Sequence, residues 1–200
     1  MSPLRPALVL LSILLAAPVA EAQELSPRVG LAAFTTLPAS KGAALYDSGW
    51  KLSFSIHVRR EELIEGRVRM EVGEFPAGKG RLDPGATITV QRARTRLVGY
   101  DWLIPLGEKG PTGLDVILGI GGVHWFTDTR VSSLPNNPYP FSWSYSDSDV
   151  AFASTLGLRY RLAQHFTLEA HHVFTFKPAN GSDFSDGELS HTSVGLGYRF

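Results

Sequence analysis

The chain has 200 residues, with 19 basic against 19 acidic side chains and no cysteine. Balanced charge excludes the basic footprint that a nucleic-acid partner requires. The lack of cysteine excludes a disulfide framework and a thiolate metal site, and this length suits one ordinary domain.

The first element in chain order is a targeting segment. "MSPLRP" carries one cation, Arg5, and Ala7–Ala17 is a short apolar run. Ala20-Glu21-Ala22 then sets small residues at the two positions a signal peptidase reads. The run is too short to cross a bilayer as a helix; an uncleaved N-terminal anchor is the competing reading. The expectation is a signal peptide over 1–22 and one mature domain over 23–200. Its removal takes away Arg5 and Glu21, leaving 18 cations against 18 anions. No other stretch is apolar for 18 residues. That excludes a helical membrane protein and leaves a secreted, periplasmic or outer-membrane one.

The mature chain shows no helical period and about eight segments of period two, the pattern of strands with one apolar face. The first, Arg28–Thr36, is weak. The second, "GWKLSFSIHVR", alternates Trp50, Leu52, Phe54, Ile56 and Val58 with Lys51, Ser53, Ser55, His57 and Arg59. The third, "IEGRVRMEVG", sets Ile64, Val68, Met70 and Val72 against Glu65, Arg67, Arg69 and Glu71. The fourth runs from Thr87 to Ile104. The fifth, Gly113–Phe126, lines up Leu114, Val116, Leu118 and Ile120. The sixth, Val150–Leu162, carries Phe152, Leu156, Leu158, Tyr160 and Leu162. The seventh, His165–Phe176, carries Phe166, Leu168, Ala170, Phe174 and Phe176. The closing segment, "HTSVGLGYRF", alternates Val194, Leu196, Tyr198 and Phe200 with Ser193, Gly195, Gly197 and Arg199.

The connections alternate in length. Residues 37–48, 74–86, 127–148 and 177–188 are long and polar, whereas 60–63, 105–112 and 163–164 are short. This is the pattern of an eight-stranded antiparallel up-and-down transmembrane β-barrel, an all-β fold with both mature termini on the periplasmic side. A soluble sandwich also alternates. Against it, the segments are longer than soluble strands and match a tilted crossing of hydrocarbon. Their polar faces also mix both signs: Glu65, Arg67, Arg69, Glu71, Arg159, Arg161, Glu169 and His171. A narrow lumen filled by paired charges accounts for that mixture. Aromatic residues gather near the expected strand ends, as interfacial girdles do: Trp50, Trp102, Tyr160, Phe166, Phe174 and Phe176. Trp125 is the exception, because its parity points it inward unless a bulge reverses it.

The signal peptide, "YDWLIPLGEKGPTGLDVILGIGGVHW" and "VGLGYRF" together resemble the small eight-stranded outer-membrane barrels, the OmpA transmembrane domain and OmpX-like group. The resemblance covers the mature chain and is specific for architecture rather than activity. It implies a location in the outer membrane of a Gram-negative cell. It also implies that Phe200, with Tyr198, Leu196 and Val194, is the signal read by the barrel-assembly machinery. OmpA carries a further peptidoglycan-binding domain, which this sequence does not show, so a wall-anchoring role is not expected.

Five candidates for chemistry or binding follow. Gly119, Gly121, Gly157, Gly195 and Gly197 fall on the lumen parity, where they leave room for arginines from other strands; eight strands enclose a space that side chains fill. A plugged, salt-bridged interior is expected rather than a channel. His191 and Ser193 share one face of the closing strand. Outer-membrane lipid A deacylases are barrels with a His-x-Ser pair, but there the pair faces lipid and an asparagine follows the serine. Here parity turns both residues inward and Val194 follows, so a lumen hydrogen-bonding role is expected. Glu169 on the adjacent strand could serve as the acid inside the lumen. Adjacent His171 and His172 point to opposite faces, so a shared metal is not expected, although Glu169, His171 and His191 lie on neighbouring strands. Arg92, Arg94 and Arg96 share the lipid-facing parity of Val98, Tyr100, Trp102 and Ile104. Arginine at mid-membrane is unfavourable by about 2–4 kcal/mol, so the crossing part of this strand should begin near Val98. The arginines then meet lipopolysaccharide phosphates at the outer rim, or lie on a solvated hairpin, or are rephased by a bulge. The loop over 127–148, rich in Tyr, Trp and Ser, suits a surface ligand and equally an ordinary variable loop.

The reading is a structural or surface-interaction barrel with no cofactor and no nucleic-acid partner. Its partners are outer-membrane lipid and lipopolysaccharide, with the assembly machinery during biogenesis. A small porin or ligand-conducting barrel, and a lipid A-modifying enzyme, are the alternatives.

Overall fold

The computed structural model describes residues 28–39, 46–59, 64–78, 81–83, 86–107, 112–176 and 190–200. The expected signal segment 1–22 lies outside them, as does most of the loops 37–48 and 177–188. Nine strands follow in chain order: β1 (Arg28–Pro38), β2 (Gly49–Arg59), β3 (Glu65–Pro76), β4 (Arg81–Asp83), β5 (Ala86–Leu106), β6 (Gly113–Ser133), β7 (Ser142–Arg161), β8 (Phe166–Phe176) and β9 (His191–Arg199). Every pairing is antiparallel, and a β3–β5 pairing closes the sheet into a ring of eight, with β4 paired only to the start of β5. Each barrel strand therefore has a neighbour on both sides, which removes the open edge an exposed sheet would present.

Register fixes the shape of the ring. Stepping across paired residues from Arg28 leads through His57, Arg67, Asp101, Gly119, Thr155, Val173 and His191 to Pro38. The circuit returns to β1 ten residues further along, from Arg28 to Pro38. Eight strands with that stagger tilt by about 40° to the barrel axis. Ten residues at this tilt cover about 25 Å, the height of an outer-membrane apolar band.

Period-two alternation makes the strands and also turns the molecule inside out. Phe166, Leu168, Phe174 and Phe176 of β8 are exposed, while Thr167, Glu169, His171 and Thr175 are buried. Among the described residues, 22 buried side chains are polar or charged and 12 are apolar. A soluble sandwich would have the opposite balance. The aromatic ends fall where expected: Phe166, Tyr198 and Phe200 form an edge-to-face cluster at the rim of the short turns. On the other side of the ring, Tyr100 and Trp102 of β5 pack edge to face, with the hydroxyl of Tyr100 filling the place a side chain at Gly66 would take. Gly107 ends β5 at φ 107°, a conformation that favours glycine.

One expectation needs correction. The fifth and sixth segments are far longer than read, because β6 continues past Phe126 to Ser133 and β7 begins at Ser142 rather than Val150. The expected loop 127–148 is therefore mostly a hairpin, with its turn over 134–141. Thr127–Ser132 pair residue by residue with Asp147–Ser142. The arms of β5, β6 and β7 project beyond the ring at the end of the long hairpins. Trp125 keeps the inward parity read for it: no bulge reverses it, and it pairs in unbroken register with Thr95 and Asp149. The bulge sits instead between Val90 and Arg92, too early in β5 to rephase Arg94 or Arg96.

Candidate functional site

The inward residues form two tiers. The tier toward the short turns is ionic. Asp101 of β5 sits at its centre, fully buried, and accepts from two arginines of β3. Arg67 Nε donates to Asp101 Oδ2 at 2.9 Å, and Arg69 Nε lies 2.9 Å from the same oxygen. Arg67 reaches on to β8, donating to both oxygens of Glu169 at 2.7 and 2.8 Å. Arg69 donates to Glu71 Oε1 at 2.7 Å and to Thr155 Oγ1 at 2.8 Å. Lys51 Nζ approaches the other Glu71 oxygen at 2.9 Å. His171 Nε2 lies 2.9 Å from Lys51 Nζ and 3.3 Å from Arg69 Nη1. Both neighbours are pure donors, so Nε2 accepts and the ring proton sits on Nδ1.

A second group lies nearer the short turns. Arg159 Nε donates to Asp115 Oδ2 at 2.9 Å, and Arg161 Nε is 3.4 Å from that oxygen. Glu65 pairs with His57 at 2.5 Å, Arg159 at 3.3 Å and Arg199 at 3.5 Å. Six cations thus meet five carboxylates, with histidines filling the remaining sites. All eight residues expected in the lumen lie inside it. Sequence reasoning left out Asp101 and Asp115, each a lone acid in an apolar run. It placed Lys51, His57 and Arg199 on polar faces without assigning them partners.

The glycines make this packing possible, but not by receiving arginines. A side chain at Gly119 would meet the Asp101 carboxylate, one at Gly157 the backbone and Cβ of His171, and one at Gly195 the ring of Phe34. The space they leave holds an acid, a histidine and a phenylalanine.

The tier toward the long hairpins is apolar. Leu97, Val123, Ala151, Ala153 and Val173 form one cluster. Tyr46, Phe75 and Ala93 form another, and Trp125 packs against both. Leu97 lies on the same strand as Asp101, four residues nearer the long hairpins. The inward parity of Trp125 places it in this layer. Below the layer, the one void described in the ionic tier touches Ser55, His57, Arg159 and Glu169 and measures about 10 Å³. That is room for a single water.

His191 and Ser193 are both buried at the boundary of the tiers. The His191 ring packs edge to face on Phe75 at 5.5 Å, and Ser193 Oγ bonds Thr36 Oγ1 at 3.3 Å. Glu169, the acid read as able to orient the histidine, is held by Arg67. No cluster of metal-ligating residues occurs among the described residues.

On the exterior, Val194, Leu196, Tyr198 and Phe200 are all exposed in one row beside the β1 seam. Arg92, Arg94 and Arg96 are exposed too and continue the lipid-side face of β5 beyond Val98. Arg92 Nε lies 3.2 Å from Glu74 and Arg94 Nη2 3.9 Å from Asp128, both part-exposed pairs. The Arg96 guanidinium stacks over Phe126 at 5.3 Å.

No protein-family model matches the chain, and no curated protein matches its sequence. Solved structures do match its fold. A major outer membrane protein from Thermus thermophilus superposes with TM-score 0.54 and 15% identity, over 88% of this chain and 100% of that one. Ail, the attachment invasion locus protein of Yersinia pestis, gives 0.51 and 13% identity over 89% and 100%. Ail in complex with the heparin analogue sucrose octasulfate gives 0.52 and 12% identity over 89% and 100%. The chain has the fold of the small eight-stranded outer-membrane barrels.

Proposed function

We propose that this protein is an integral outer-membrane barrel with a closed lumen and a structural or surface-interaction role, rather than a pore or an enzyme. The long hairpins then face outward and both mature termini lie on the periplasmic side. The closing row Val194, Leu196, Tyr198 and Phe200 is offered to the assembly machinery. The observation that carries this reading is the two-tier interior, ionic below and apolar above, in which the void described in the ionic tier has room for about one water. Ions crossing it would have to break paired buried charges and then enter an apolar layer. Recording from the purified, heat-modifiable barrel in planar bilayers should give no stable steps. Large, stable single-channel steps would overturn the closed lumen.

A second reading concerns the exterior. Arg92, Arg94 and Arg96 stand exposed just past Val98, at the level where the outward row stops being apolar. Guanidinium forks suit phosphate oxygens, and lipopolysaccharide phosphates lie at that height. The complex of Ail with a sulfated sugar is a case of polyanion binding by a barrel of this fold. Replacing all three arginines by Gln should weaken lipopolysaccharide retention through purification. Unchanged retention would remove this contact.

A further inference from the structure

The outward belt is not uniform. On β2, β3, β5 and β6 it presents large apolar side chains, among them Leu52, Phe54, Val68, Met70, Val98 and Ile120. On the four consecutive strands β7, β8, β9 and β1 it is interrupted by Ser154, His172, Thr192 and Thr35. Ser154, His172 and Thr35 each have an apolar outward residue beyond them toward the long hairpins, Phe152, Phe174 and Leu37, while Thr192 is the second residue of β9. Each has apolar outward neighbours two residues away toward the short turns: Leu156, Ala170, Val194 and Ala33. With the stagger described above, the four sit within about 3 Å of one another along the barrel axis. His172 is half-buried against the Phe174 ring at 4.3 Å, and its Nδ1 bonds Thr192 Oγ1 at 2.9 Å. That is its only hydrogen bond among the described residues, so Nε2 is presented to whatever covers this wall.

Polar groups facing hydrocarbon call for a partner, since lipid tails offer no hydrogen bonds. We infer that a second copy of this chain covers the β7–β8–β9–β1 wall, in a side-by-side pair centred on His172. The inference rests on the membrane-spanning reading above. Two properties of the patch select a second copy. Two barrels in one membrane are related by an axis along its normal, so groups at one height meet their own equivalents, as an isologous interface requires. Imidazole and hydroxyl groups are each donor and acceptor, so the patch complements itself. Ala33 and Ala170, just below it, allow two walls to approach closely.

The absence of cysteine from the chain gives a clean test. Ala170→Cys and Val194→Cys place a thiol just below the patch, on the strand of His172 and the one beside it, and Val68→Cys places one on the opposite wall. Oxidation in intact outer membranes should give a disulfide-linked dimer from the first two and none from the third. Adding His172→Leu with Thr192→Val should lower the dimer yield several-fold while leaving heat-modifiable migration unchanged. The inference is overturned by equal cross-linking at both walls. It is also overturned by no dimer from either patch cysteine in correctly migrating barrels, as a lipid occupant would give, or by a yield indifferent to His172→Leu with Thr192→Val. Recovery of the protein in the soluble fraction would sink the membrane reading itself, and this pairing with it.

Discussion

The two tiers of the lumen solve one packing problem by different physics. In the ionic tier, each group is held by directed bonds to partners on other strands. Arg67 joins β3 to both β5 and β8. In the apolar tier, Leu97, Val123, Ala151, Ala153 and Val173 make contact without direction. The contrast concerns tolerance. Removing one member of a buried ion pair strands its partner's charge, whereas replacing a whole pair by apolar groups is often neutral. An apolar cluster instead accepts volume-conserving swaps and suffers mainly from holes.

Three substitutions probe that contrast. The largest effect is expected at Asp101, which serves Arg67 and Arg69 together. Asp101→Asn keeps the shape and removes the charge, and should destabilise the barrel by about 3–5 kcal/mol in denaturant unfolding from lipid vesicles. A loss below 1 kcal/mol, roughly the scale of an exposed pair, would mean that the ionic tier is hydrated rather than locked. Next, Leu97→Ala leaves a cavity in the apolar tier and should lower stability by about 2–3 kcal/mol. It should leave the bilayer silent, because the ionic tier still closes the path. Conductance appearing in Leu97→Ala would assign closure to the apolar tier alone. The smallest change belongs to the boundary. Ser193→Ala removes one hydroxyl pair with Thr36 and should lower stability by about 1 kcal/mol. Lipid A mass spectra after overexpression should be the same for Ser193→Ala and the parent chain. A mass shift lost on substitution would restore the enzyme reading.

The tiers also differ in how well sequence reveals them. Charged residues at period two, as in Glu65, Arg67, Arg69 and Glu71, stand out because their neighbours are apolar. Asp101 and Asp115 do not, since a lone acid in "YDWLIPL" or "GLDVILG" gives no period of its own. The apolar tier is harder still. Around Ala151, Phe152 and Ala153 both parities are apolar, so alternation cannot say which faces inward. The longest error has a related cause. "SWSYSDSD" has the composition of a loop, because Ser and Asp are turn formers. Yet it alternates, and pairs across with "TDTRVSS". Composition outweighed period there, and the arms of β6 and β7 were cut short. His172 and Thr192 were legible by position on their strands. Their significance emerges only when the closed ring sets Ser154 and Thr35 beside them.

The span of the Arg67 bonds also orders assembly in time. Asp101 lies 34 residues beyond Arg67, but Glu169 lies 102 residues beyond it. The first half of the chain therefore holds Arg67 with one of its two acids and not the other. Until β8 arrives, Arg67 needs water, so a half-built barrel must keep its seam open and wet. Closure of the last strands and drying of the interior then become a single late event. A chain truncated before β8 would leave Arg67 Nη1 without the carboxylate that takes it.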